Sequence, residues 1–108
     1  MTVSDELTAR IRSFVALDPR ITEKKMFGGI AFLLDGKILV SSRRTGTLLV
    51  QCGAESAAEV TKEPGVSPMI MKGKPAANFI DVDNDRLETD DDLKRWIDLA
   101  ERFVSAKR

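Results

Sequence analysis

The 108 residues contain no histidine and no tyrosine, and those two absences remove most of the chemistry a small domain performs. Ser–His and Cys–His nucleophile pairs, histidine metal ligation and proton transfer by a phenol are all excluded. Cys52 is the only cysteine; with no histidine to hold its proton, and closing a strand-like run, it reads as a small packed residue rather than a nucleophile. The carboxylates Asp81, Asp83, Asp85, Asp90, Asp91 and Asp92 are hard-cation ligands in type, but their spacing does not fit an EF-hand loop. Three of them follow Thr89 at a helix start, where the helix dipole favours negative charge. A solvated acidic loop is therefore preferred to a metal site, and no cofactor is expected. Gly28-Gly29 has the composition of a phosphate loop but stands at the start of a strand rather than between a strand and a helix. Close approach of a neighbouring element, or a bulge, explains the two glycines better. On these grounds no catalytic centre is expected and the chain is not read as an enzyme.

The basic residues carry the sharper expectation. A meander would bring the beginning of its first strand and the turn between its second and third strands to one end, so Lys24, Lys25, Arg43 and Arg44 are expected to converge. Such a cluster could contact phosphates or an acidic protein surface, with arginine gripping either through two donors. The plainer reading is that charged strand ends are solvated and discourage edge pairing. Lys72 and Lys74, at a second turn, are weaker candidates. Trp96, Met69 and Met71 are adaptable anchors of the kind found at interfaces, but helical spacing with Leu93 and Phe103 assigns Trp96 to the core.

The elements that must position these residues follow from periodicity. Thr2 and Ser4 can cap a helix over roughly residues 4–17, whose stripe is Leu7, Ile11, Phe14 and Val15; Asp18-Pro19 ends it. From Lys24 to Leu34 both alternating faces are apolar, Met26, Ile30 and Phe32 on one and Phe27, Ala31 and Leu33 on the other, which predicts one interior strand. Asp35-Gly36 predicts a two-residue type I′ turn into a strand over 37–42, and a further turn leads to a strand over 47–52. Residues 54–62 form a short helix stopped by Pro64-Gly65. A hairpin over 66–72 and 76–82 turns at Gly73-Lys74-Pro75, with Pro68 confining its strand to an edge. Thr89 then caps a last helix whose inward face is Leu93, Trp96, Ile97, Ala100, Phe103 and Val104 and whose closing Lys107 and Arg108 suit the dipole. The expected fold class is α+β: an antiparallel sheet of about five strands, a three-stranded meander plus a hairpin, with N-terminal, middle and C-terminal helices in the order α-β-β-β-α-β-β-α.

Length and composition fit one such domain over residues 1–108. The chain is 43% hydrophobic and 31% charged, ordinary for a globular protein. A single cysteine allows no intrachain disulfide, which points to a reducing compartment. No apolar run approaches the roughly 18 to 20 residues needed to span a bilayer, and Met1 to Glu6 lacks the basic-then-apolar order of a signal peptide, so a cytoplasmic location is expected. Seventeen basic and seventeen acidic residues cancel, which disfavours direct DNA binding by the domain alone.

The stretch Lys25-Met26-Phe27-Gly28-Gly29 leading to an apolar strand and an Asp-Gly turn resembles the N-terminal domain of the TfoX family of competence regulators. Pro68-Met69 agrees with that pattern, as do Gly73-Lys74-Pro75 before Phe79-Ile80-Asp81-Val82, and Leu87-Glu88-Thr89-Asp90 before Leu93 and Trp96. Together these span about residues 7–104. The resemblance implies a non-enzymatic regulatory or interaction domain. In that family, full-length regulators join this domain to a C-terminal helical domain and promote expression of DNA-uptake genes through protein partners at promoters; no such second domain lies within these 108 residues. It also implies a protein partner, either transcription machinery or a second copy in a homodimer. A small-molecule or nucleic-acid binding module is the alternative, and would require a concave pocket or a coherent basic face.

Overall fold

The structure, a computed structural model, describes residues 3–26, 28–71 and 73–106. The expectations placed on Thr2, Phe27, Lys72, Lys107 and Arg108 lie outside the described residues. Helix α1 (Val3–Val15) buries Leu7 and Ile11, one turn apart, while Phe14 of the same stripe is 36% exposed. Six strands follow in two groups: β1 (Ile21–Met26), β2 (Gly29–Leu34), β3 (Lys37–Ser42) and β4 (Leu48–Gln51), then, after α2 (Ala54–Val60), β5 (Val66–Met71) and β6 (Lys74–Val82). A short 3-10 turn, Asn84–Arg86, leads to α3 (Asp90–Ala106).

The fold class is α+β with three helices, but the strand count of five is corrected to six and the order to α-β-β-β-β-α-β-β-α. The run expected to form one strand from Lys24 to Leu34 is divided. The chain reverses between Met26 and Gly29, which face each other across the β1–β2 pair. The physical cause is Gly28, whose φ of 76° is left-handed backbone that only glycine adopts without strain. Continuous hydrophobicity hides such a reversal, because a period-2 pattern reads the same through a turn that preserves alternation.

The next hairpin is legible in two residues. Asp35 and Gly36 have φ of 51° and 84°, both positive as a type I′ turn demands. The register of β2 and β3 slips between Phe32 and Leu33, and the resulting bulge turns both Leu39 and Val40 into the core. The sheet runs β1-β2-β3-β4-β6-β5, with every neighbouring pair antiparallel. Pro68 lies on the outermost strand β5, where its missing amide costs no ladder bond. The other edge, β1, carries Thr22-Glu23-Lys24-Lys25, and such charge discourages pairing with a further chain.

All three helices pack on one face of the sheet. Leu7 and Ile11 of α1, Ala57 and Val60 of α2, and Leu93, Trp96, Ile97, Ala100 and Val104 of α3 join Phe32, Val40, Val50 and Ile80 of the strands in one buried cluster. The α3 start is built by reciprocal capping: the Asp92 amide donates to Thr89 Oγ1 at 3.1 Å, and the Thr89 amide donates to Asp92 Oδ2 at 3.5 Å. Trp96 is 1% exposed and Met69 5%, so neither presents an interface anchor at the surface. No described helix is long and apolar enough to cross a membrane.

Glu63 clamps the connection after α2 to the end of the chain. Its carboxylate accepts both Arg95 terminal nitrogens, at 3.0 and 2.6 Å, and one from Arg86 at 2.9 Å. Arg86 also donates to the Pro64 carbonyl. Hydrogen bonding from Arg95, with Arg86 behind it and burial opposing, holds the Glu63 carboxyl down at about 2 against an ordinary 4.5. Because the folded value lies below the unfolded one, this stabilisation is complete above about pH 4.5 and is lost as pH falls toward 2. The three side chains are 30 to 46% exposed, so solvent screening reduces the clamp to about 1 kcal/mol. Glu63→Gln should lower stability by that amount at pH 7 and flatten its decline between pH 4.5 and 2. Urea denaturation across that range checks both, and parallel wild-type and variant pH profiles would refute the clamp.

Candidate functional site

Alternation along the strands divides the four basic residues expected to converge. Lys25 is paired with Ile30 and Lys24 with Ala31, and successive side chains point to opposite faces. Ile30 packs against the helix-covered core, so Lys25 lies on the helix side and Lys24 on the opposite side. Arg43 also belongs to the helix-free face. Its guanidinium donates to Asp81 Oδ2 at 2.6 Å, and Asp81 lies in the cross-strand row Lys24, Ala31, Ser41, Leu49, Asp81, Ser67. Arg43 Nε and Asp81 Oδ1 are buried without hydrogen-bond partners, a geometry that commits the pair to each other rather than to solvent. Arg44 returns to the helix side. The structure thus brings Lys25 and Arg44 together, and turns Lys24 and Arg43 away from them.

Lys25 and Arg44 flank a cleft of about 540 Å³ between the start of α1 and the β1–β2 turn. Asp5 and Thr8 of α1 form one wall, Met26 and Ile30 supply apolar surface, and Gly28 and Gly29 add backbone without side chains. Arg44 lies across the turn: a Cβ on Gly28 would stand 3.5 Å from Arg44 Cβ and 4.0 Å from its Nε. The floor is pinned by a buried hydroxyl pair, Thr8 Oγ1 and Ser42 Oγ at 2.5 Å. The Ile30 amide also donates to Ser42 Oγ at 3.4 Å. Helix, β2 and β3 are therefore fixed to one another beneath the two cations.

Neither cation makes an ion pair among the described residues, although Asp5 lines the same cleft. Among the described residues Arg10, Arg12, Arg20, Arg43, Arg86 and Arg95 all make ion pairs, whereas Arg44, Arg102, Lys24 and Lys25 make none. Arg102 is exposed on α3, away from the cleft. Lys74 begins β6 opposite Met71, at the far end of the sheet from Arg44, because Val82 at the other end of β6 is the residue paired with Leu48 next to the Arg44 turn. Thr8, Met26 and Ile30 were not foreseen as parts of a site. The one signal for them was Thr8 itself, a hydroxyl set between Leu7 and Ile11 on the inward stripe.

The remaining chemistry-bearing groups are dispersed. Cys52 is 2% exposed, and burial pushes its thiol up to about 11, so it is protonated at neutral pH and poorly nucleophilic. Asp81 is held by Arg43, Asp90 by Arg10 at 3.5 Å, and Asp92 by the α3 cap. Among the described residues no three acidic or cysteine side chains gather in a way that could hold a metal ion.

A six-stranded antiparallel sheet with three helices on one face, carrying a cleft flanked by Lys25 and Arg44 at one end, defines a small α+β domain. The family profile described as the TfoX N-terminal domain matches residues 13–104, and the chain belongs to that family. No curated protein and no solved structure matches it significantly.

Proposed function

We propose that this domain is a non-enzymatic regulatory module that acts by docking a protein partner at the Lys25–Arg44 end of the sheet. The observation that carries the reading is a preformed cleft flanked by two cations that make no ion pair among the described residues, in a chain where most arginines are consumed by ion pairs. Both cations are exposed, and a guanidinium offers a carboxylate a planar fork of parallel donors that loses less side-chain entropy per bond than a lysine does. Membership of the TfoX N-terminal domain family supports a regulatory role through transcription machinery, and self-association is the other form such contact could take.

The competing small-molecule or nucleic-acid module is less well supported. The two cleft cations, on a chain of zero net charge, give little of the counterion release that drives duplex binding.

The reading is tested by charge reversal. A tagged domain carrying Lys25→Glu and Arg44→Glu should retain its cellular protein partner at least about tenfold less than the wild type, since close charge pairs at interfaces are worth more than 1.4 kcal/mol. Lys37→Glu and Lys62→Glu, exposed and distant, should retain it fully. Quantitative affinity capture, with size-exclusion chromatography to count copies, distinguishes a foreign partner from self. Undiminished capture by the doubly reversed variant would remove this surface from the function.

A further inference from the structure

The cleft has chemistry beyond its charge, and we infer that it accepts a short acidic–apolar peptide segment in which one carboxylate is gripped by Arg44 and Lys25 while a neighbouring aliphatic side chain lies on Met26 and Ile30. The inference rests on the docking reading above and specifies what is docked. Arg44 lies along the bare surface of Gly28, which leaves its planar guanidinium at the cleft without an acidic partner among the described residues. A guanidinium presents parallel donors to a carboxylate and gives two bonds where a lysine gives one. Met26 and Ile30 line the same cleft, and apolar surface beside a cation rewards a ligand that is acidic and greasy at once. A purely acidic tract would leave that surface wet.

The shape selects a peptide over a free small acid. Small-molecule sites bury about 70 to 90% of their ligand's surface. Lys25 and Arg44 are both exposed, and a single helix wall with one turn cannot enclose a ligand to that degree. A peptide needs no enclosure, because residues on either side of the anchoring pair add contacts outside the cleft. The positive cleft also complements an acidic segment in charge, and that complementarity raises encounter rate as well as selecting the sign of the partner.

The test uses the intact domain and three fluorescein-labelled eight-residue probes: one alternating aspartate with leucine, one of the same net charge made of aspartate and serine, and one with asparagine replacing aspartate in the first. Fluorescence anisotropy should show the aspartate–leucine probe binding at least about tenfold more tightly than either of the others, the scale of one well-formed charged contact. Arg44→Lys, which keeps the charge and loses the fork, should weaken that probe severalfold, Arg44→Glu should abolish binding, and Arg102→Ala should leave it unchanged. Amide resonances of Gly28, Gly29, Ile30 and Arg44 should shift on titration. Equal binding of the aspartate–serine probe, or insensitivity to Arg44→Glu, would overturn the inference. So would full competition by free hexanoate at the concentration of the peptide. If the probes fail while Lys25→Glu with Arg44→Glu still abolishes capture of the cellular partner, the motif chemistry is wrong and the docking surface stands. If capture survives the reversal, the docking surface itself is wrong.

Discussion

Gly29→Ala is expected to destabilise the fold by about 3 kcal/mol, the upper part of the range for forcing extra atoms into a packed interior. A Cβ at this position would fall 1.6 Å from the Ser42 carbonyl oxygen and 2.6 Å from its carbon, and 3.2 Å from Arg43 Cα. All three are backbone atoms, so no rotamer change relieves the clash; β2 and β3 must separate or the β1–β2 turn must shift. Ser42 is also the partner of Thr8, so separation reaches α1 and opens the floor of the cleft. The neighbouring Gly28→Ala makes the comparison informative. There the Cβ would meet Arg44 alone, at 3.5 Å from its Cβ, 3.9 Å from its amide nitrogen and 4.0 Å from its Nε, all ordinary contact, but φ is 76°, and left-handed backbone costs a non-glycine residue about 1 to 2 kcal/mol. Gly28 is glycine for its torsion and Gly29 for its contact. Urea denaturation followed by circular dichroism should therefore rank wild type above Gly28→Ala above Gly29→Ala. A Gly29→Ala midpoint equal to the wild type would show that β2 and β3 do not approach as closely as the structure has them.

That pair of glycines also marks where sequence reading stops. Local features were legible because their causes lie within a few residues. Asp35-Gly36 specifies its turn by backbone preference alone, Thr89 with Asp92 specifies the α3 start, and Pro68 excludes an interior strand. The reversal at Gly28 is hidden because the apolar pattern of Met26, Ile30 and Phe32 continues through it, so Lys24 and Lys25 read as the start of one long strand and the residues before them as connector rather than as part of an edge strand. An edge strand needs charge to avoid aggregation, so the feature that protects β1 also conceals it.

The candidate site was legible in composition and not in arrangement. Lys25 and Arg44 were both singled out, yet so were Lys24 and Arg43, and the two pairs differ only in which face alternation assigns them once the strand boundaries are right. Arg43 is removed from consideration by Asp81, thirty-eight residues away, and Glu63 joins Arg86 and Arg95 across comparable gaps. Nothing local announces such pairs, because an ion pair between distant elements is set by which strand neighbours which. The same holds for the cleft wall: Thr8 becomes part of a site only because α1 crosses β3 at Ser42.

Trp96→Ala should produce the largest loss of all, about 3 to 5 kcal/mol for removing a fully buried tryptophan. Trp96 is 1% exposed and is the largest wholly buried side chain of the core, on the helix that packs over β3 and β4. Its loss creates a cavity that backbone on both sides, helix and sheet, is too stiff to close. Against a stability of about 5 to 15 kcal/mol for a domain of this size, such a change leaves the variant marginal at 37 °C. Trp96→Phe removes only part of that volume and should cost less than full truncation, about 1 to 3 kcal/mol. This second variant separates stability from recognition. The cleft is lined by residues of α1, the β1–β2 turn and Arg44 and not by Trp96, so Trp96→Phe should unfold earlier in urea and still bind the aspartate–leucine probe with wild-type affinity below its transition. Trp96 is the only tryptophan, so circular dichroism rather than fluorescence must follow unfolding in both variants. Loss of probe binding in a folded Trp96→Phe domain would mean that α3 and the cleft move as one unit, and the site would then have to be redrawn to include the core that supports it.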